Sequence, residues 1–219
     1  MRVVYLHGFA SGPSSSKAQY FAKKFGERGV RFDIPQLDGG DFRSLTVSGQ
    51  LALVDRAVGG KAATLIGSSL GGYLAALYAA RHAEIERVVL MAPAFEFGRR
   101  FRERYAPDLE RWKREGSIPI FHYGHGEERA LSYKIVEDAA QYEDEPEVSQ
   151  PMLILHGRQD SVVPAGLSEA YAARHPNVWL HLYDSGHELT DVLDAMWAEV
   201  QDFLPFPREP GRSPTLIHP

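Results

Sequence analysis

Short apolar, β-branched runs alternate with helix-like stretches along most of the chain. The spacing predicts strands at Arg2–Leu6, Val30–Ile34, Ala63–Ile66, Arg87–Met91, Met152–Leu155 and Val178–Tyr183. Several are apolar at every position, as strands covered on both faces tend to be. Between them the pattern predicts helices at Ser16–Arg28, Leu45–Ala57, Leu70–His82, Ala165–Arg174 and Glu188–Phe203. Strand–helix alternation of this kind points to an α/β fold: a mostly parallel central sheet with helices on both faces.

The rhythm breaks between residues 94 and 150. No sheet-like run stands out there, and "GRRFRERYAPDLERWKRE" and "ERALSYKIVEDAAQYEDE" both read as aromatic, charged helices. The prediction is a helical cap or lid inserted between two late strands. Residues 1–93 and 151–204 then form the sheet-and-helix core, and 205–219, "PFPREPGRSPTLIHP", form a proline-rich, irregular tail.

Composition narrows the function without naming it. A chain of 219 residues suits one domain with an insertion. The hydrophobic fraction of 44% and charged fraction of 24% are ordinary for a globular protein. A formal charge of -5 gives no general attraction to nucleic acid or anionic membrane, and neither is expected as a partner. The absence of cysteine excludes disulfides, thiolate nucleophiles and cysteine–zinc sites. The opening "MRVVYLHGF" is too short for a signal-peptide core or a membrane span, so a cytoplasmic protein is expected.

Chemistry enters with "TLIGSSLGGYLAALYAA", residues 64–80. Gly67-Ser68-Ser69-Leu70-Gly71 fits G-x-S-x-G, a weak signal by itself. The context strengthens it, because an apolar strand precedes and an alanine- and leucine-rich helix follows. A nucleophile elbow needs that strand–turn–helix arrangement. At so tight a turn, side chains at Gly67 and Gly71 would collide with neighbouring backbone. Ser69 is then held strained with its oxygen exposed, while the helix start offers N–H groups to developing negative charge. Gly72 would let the helix pack close to the sheet. A serine N-cap on a plain turn is the bland alternative.

A serine hydroxyl needs a histidine base, and the histidine needs a carboxylate to set its tautomer. "PMLILHGRQDSVVP" runs from a predicted strand into a loop carrying Asp160, and "VWLHLYDSGHEL" does the same for His187. Ser69, Asp160 and His187 all follow C-terminal strand ends, the edge at which open parallel sheets bind ligands. Asp184 is the rival acid, read instead as holding the turn before His187. His82, His175 and His181 read as packing or surface residues. His122 and His125 sit in the insertion, where they could line a pocket, and His156 is a candidate supporting residue.

Taken together, His7-Gly8 after a strand, G-S-S-L-G-G, "GRQDSVVP" and "DSGHEL" resemble the α/β-hydrolase superfamily. More narrowly, "YLHGFASGPSSSKA", "DIPQL" and "GSSLGGYLA" are similar to the YqiA-like bacterial esterases. The resemblance covers the first third of the chain well and the last third in outline. It implies chain order Ser, Asp, His, with oxyanion donors at the backbone N–H groups of Phe9 and Leu70. Gly8 would allow a close backbone approach beside Phe9. The resemblance also implies esterase activity on an acyl ester or thioester, with no metal and no cofactor.

The insertion carries Phe95, Phe97, Phe101, Tyr105, Trp112, Phe121, Tyr123, Tyr133 and Tyr142. Aromatics supply large apolar contact area, so Phe95, Phe97, Trp112 and Tyr123 are candidate pocket residues. The other reading is that a small cap needs them for its own core. Arg99, Arg100, Arg102, Arg104, Arg111, Lys113 and Arg114 could recognise an anionic leaving group such as the phosphates of an acyl-CoA, or form a solvated face.

The expected function is therefore a serine hydrolase, carboxylesterase-like, acting on a small-molecule acyl ester. An acyl-CoA thioesterase or an acyltransferase on the same residues is the alternative. A peptidase would usually need a pocket for a free amino terminus, for which no signature stands out, and a dehalogenase would normally carry a carboxylate at the elbow, where this chain has Ser69. A non-catalytic binding module remains a different class, since fold does not imply function. Oligomeric state is left open.

Overall fold

The computed structural model describes residues 1–206. The proline-rich tail, apart from its first two residues, lies outside them. Six strands form the central sheet: β1 (Arg2–Leu6), β2 (Arg31–Asp33), β3 (Ala63–Ser68), β4 (Ile85–Met91), β7 (Met152–Gly157) and β8 (Val178–Tyr183). A separate two-stranded ribbon pairs β5 (Ser117–His122) with β6 (Glu127–Ser132). The main sheet runs β2-β1-β3-β4-β7-β8, and every pairing in it is parallel.

Strand residues alternate between two apolar layers, as a period of two requires. Val4, Leu6, Leu65, Leu90 and Ile154 face one layer with α2 (Val47–Val58), α3 (Leu70–Ala79) and α7 (Ala165–Arg174). Val3, Tyr5, Ile66, Val89 and Leu155 face the other, with α1 (Ser16–Gly26) and α8 (Leu193–Phe203). Phe25 and Trp197 anchor that second layer, edge to face at 5.1 Å. β3 and β7 are buried along their whole length, which explains their unbroken apolar runs.

The helix expected from Glu188 begins instead at Leu193. Leu189 takes φ 55°, which a continuous helix does not tolerate, and Lys17 holds the Glu188 carbonyl at 2.6 Å. The chain beyond His187 is therefore a fixed loop before it is a helix.

The interval 94–150 is mixed rather than purely helical. It holds α4 (Phe97–Arg104), α5 (Leu109–Glu115), the β5–β6 hairpin and α6 (Lys134–Ala139), inserted between β4 and β7. Burial along β5 alternates from Ile118 to His122, the mark of a strand with one covered face. Across the interval, the buried residues Phe101, Trp112, Leu131 and Ile135 join the same apolar cluster as α3 and β4.

Trp112 is the centre of this segment. It is fully buried, its Nε1–H donates to the Leu131 carbonyl at 2.9 Å, and it packs edge to face on Tyr105 and Tyr133. Replacing it with alanine should cost about 3–5 kcal/mol of stability. Urea unfolding of Trp112→Ala checks this; a loss below about 1 kcal/mol would mean that the segment does not depend on the indole.

Candidate active site

β3 enters a sharp turn at Ser69, which takes φ 54° and ψ −120°. Non-glycine residues avoid positive φ, and holding one there costs about 1–3 kcal/mol. The surrounding contacts leave no room to relax. A Cβ on Gly67 would overlap the Gly71 backbone, and one on Gly71 would overlap the carbonyl oxygens of Leu6 and His7. Gly72 lies close to Pro93 as well. At Gly8, by contrast, a Cβ would meet only ordinary contacts at 3.5 Å, so the close approach expected there is not needed.

Ser69 flanks the helix start without capping it through its side chain. Its Oγ lies 3.1 Å from Nε2 of His187. His187 Nδ1 lies 2.7 Å from Oδ2 of Asp160. An ionised carboxylate can only accept, so Nδ1 carries the proton and Nε2 presents its lone pair to the serine hydroxyl. Asp160 Oδ1 accepts from the N–H groups of Val162 and Val163, each at 2.8 Å. Burial would raise the Asp160 pKa. The hydrogen bonds from His156, His187 and Val163 outweigh it and hold the carboxyl well below the usual carboxylate range.

His156 is a partner of Asp160 that the sequence only hinted at. It is fully buried on β7. Its Nε2 lies 2.9 Å from the Val163 carbonyl and 3.2 Å from Asp160 Oδ2, so that nitrogen must carry the proton. Nδ1 then accepts from the Ser168 hydroxyl at 2.8 Å. Asp160 is thus fixed by two imidazoles and two backbone amides. Asp184 faces elsewhere, within 3.4 Å of the Gln159 amide. His82, His175 and His181 pair with Glu84, Glu147 and Glu199, away from this chain of hydrogen bonds.

Two further supports lie far apart in sequence and carry no local signal. A Cβ on Gly157 would overlap the Ser185 carbonyl, so glycine lets the loop before His187 cross the end of β7. Lys17, on α1, clamps the residue after His187. His7 locks the loop after β1 from inside. Its Nε2 accepts from the Leu37 N–H at 3.2 Å, and its Nδ1–H donates to the Gly8 carbonyl at 3.0 Å.

A cavity of about 960 Å³ opens over Ser69 and His187. Phe9 and Leu70 line it, and so do Phe95, Phe97 and Tyr123. Leu70 is the first residue of α3, so its N–H has no partner within the helix. Trp112 does not line the cavity; its indole is spent on the core of the insertion. Phe101, Tyr105 and Phe121 extend the aromatic wall, and Ser11, Ser14, Ser15 and Ser16 make a polar one. Of the seven basic residues between Arg99 and Arg114, Arg100 and Arg104 reach the lining, while Arg99, Arg111 and Arg114 pair with nearby carboxylates.

The parallel sheet with helices on both faces is that of the α/β-hydrolase fold, and solved structures agree. Alpha/beta hydrolase domain-containing protein 10 from mouse is 19% identical, with a TM-score of 0.76 over 92% of this chain and 88% of that one. Est1E from Butyrivibrio proteoclasticus is 20% identical, with a TM-score of 0.73 over 92% and 86%. Est1E is also known with ferulic acid bound. No curated protein sequence matches the chain. The chain belongs to the uncharacterised protein family UPF0227, whose model matches residues 2–204. Among the described residues, no helix is long and apolar enough to cross a membrane.

Burial lowers the pKa of His7, partly offset by its bond to Gly8. The unfolded chain then takes up this proton first as pH falls below about 6.5, so the contribution of His7 to stability is full above that pH and is lost beneath it. Urea unfolding at pH 7 and pH 5 should show a smaller acid loss for His7→Gln than for wild type. Equal losses would remove His7 as a source of the acid sensitivity.

Proposed function

We propose that the protein is a serine hydrolase that cleaves carboxylic acyl esters through a covalent acyl-enzyme. The observation carrying the reading is the continuous hydrogen-bonded run Ser69–His187–Asp160 under an aromatic-walled cavity. Ser69 Oγ attacks the ester carbonyl while His187 Nε2 takes its proton. Asp160 holds the imidazole and stabilises its charged form. The N–H groups of Phe9 and Leu70 receive the oxyanion; losing one such donor typically costs about 2.7–4 kcal/mol. As the tetrahedral intermediate collapses, the C–O bond breaks and His187 returns the proton to the departing alkoxide. Water then attacks the acyl-serine, giving its proton to His187, and the acid leaves as Ser69 recovers that proton.

The cavity volume falls in the range of small-molecule sites and suits a small acyl or aryl ester. Est1E, a neighbour of the same fold, holds ferulic acid, and aryl acids fit the same aromatic wall here. Hydrolysis of a p-nitrophenyl ester series, extended to a feruloyl ester, tests the reading. Ser69→Ala should fall toward background, a loss of about 10⁶ in kcat in a comparable enzyme. Equal rates in variant and wild type would remove Ser69 from the mechanism.

A second reading, thioester hydrolysis or acyl transfer on the same residues, is favoured by Arg100 and Arg104 at the lining. Arg100 is already engaged with the Val162 carbonyl, which makes Arg104 the cleaner probe. If an anionic leaving group is bound there, Arg104→Gln should raise KM for acyl-CoA and leave KM for a neutral ester unchanged. Equal effects on both substrates would sink this second reading.

A further inference from the structure

Beside the cavity, and outside its lining, Asp38, His122 and His125 converge. One ring nitrogen from each histidine and one carboxylate oxygen of Asp38 all lie within 4.8 Å of one another. The three come from two separate parts of the fold: Asp38 follows β2, while His122 ends β5 and His125 lies in the hairpin turn.

The cluster is held in place by its own supports. The His122 carbonyl accepts from the N–H groups of His125 at 3.0 Å and Gly126 at 2.8 Å. That tight turn brings the two imidazoles to a centroid separation of 4.5 Å. Phe42 packs edge to face on the His122 ring at 4.7 Å and fixes its plane. On Asp38, Oδ1 accepts from the Gln36 amide at 2.7 Å and the Gly40 N–H at 2.9 Å. Neither of these bonds uses Oδ2, and the two partners orient the carboxylate, as partners of metal ligands do.

The second observation is an orphan. His122 is 1% exposed, and its Nδ1 has no hydrogen-bond partner among the described residues. Buried polar atoms are nearly always satisfied, so an unpartnered imidazole nitrogen in a cluster of ligand-type groups calls for something to meet it. Two imidazoles and a carboxylate suit a divalent transition cation, zinc foremost, with water completing the coordination.

We propose that Asp38, His122 and His125 form a binding site for a divalent transition cation that fastens the insertion's hairpin to the core. The hairpin already touches the loop after β1 through the Gly124 N–H and the Ala10 carbonyl at 3.3 Å. Phe121 and Tyr123, on either side of His122, line the cavity. A bound cation would therefore set the position of one cavity wall and of the loop carrying Phe9. It departs from the metal-free expectation of the sequence, and it takes no part in the serine chemistry.

The test uses the full chain stripped with EDTA. Zinc binding is followed by isothermal titration calorimetry and thermal unfolding, and Co²⁺ by its visible absorption. Wild type should bind one equivalent, with ligand-field bands from nitrogen and oxygen ligands. At a hundredfold excess over Kd its Tm should rise by about 5–10 °C. His125→Ala and Asp38→Asn alter exposed or half-exposed side chains and should fold as wild type does without metal. Each should weaken zinc binding at least tenfold and, at the same zinc concentration, lose about half or more of the Tm rise. His181→Ala, which removes a histidine–carboxylate pair elsewhere, should bind as wild type does. No saturable binding by wild type, or undiminished binding by His125→Ala and Asp38→Asn, would overturn the proposal.

Discussion

Packing of the start of α3 against the end of β1 governs the rest of the molecule. Gly71 sits where any side chain would overlap the carbonyl oxygens of Leu6 and His7, and Gly67 is closed off by the Gly71 backbone. With the backbone compressed this far, Ser69 takes its left-handed φ of 54° and its oxygen stands clear of the turn. Relaxing φ at Ser69 would require moving a strand at the centre of the sheet. The strain is local, and the buried core holds it in place.

The parallel sheet turns that local strain into a site. β3, β7 and β8 all end at one edge, so their following loops deliver Ser69, Asp160 and His187 to one place. Fine positioning then comes from groups outside that trio. His156 and two backbone amides fix Asp160, Gly157 lets the loop before His187 approach, and Lys17 holds the chain just after it. Held from both sides in this way, His187 Nδ1 and Asp160 Oδ2 meet at 2.7 Å. The insertion supplies the apolar wall and ties itself to the core through the shared cluster around Trp112.

Much of this was legible along the chain, for reasons that differ by element. β1, β8 and α7 have the bounds expected of them, because their apolar patterns are bounded by clear turn residues. Ser69, Asp160 and His187 could be singled out because strand ends and elbow glycines are local signals. The β5–β6 hairpin was hidden. "SIPIFH" alternates over only six residues, contains a proline, and pairs with the polar "EERALS". Trp112 shows the limit for single side chains: aromatic residues in a small cap serve its core or its ligand face, and sequence does not separate the two. His156 and Lys17 gain their positions from contacts that only the folded chain creates.

The central claim is that this geometry makes Ser69 a nucleophile. The most direct measurement is intact-mass spectrometry after treatment with a fluorophosphonate, followed by peptide mapping, on wild type and His187→Ala. The account predicts a single adduct on Ser69 in wild type, formed far more slowly when His187 is replaced. An adduct on another residue, or no adduct on wild type, would contradict it.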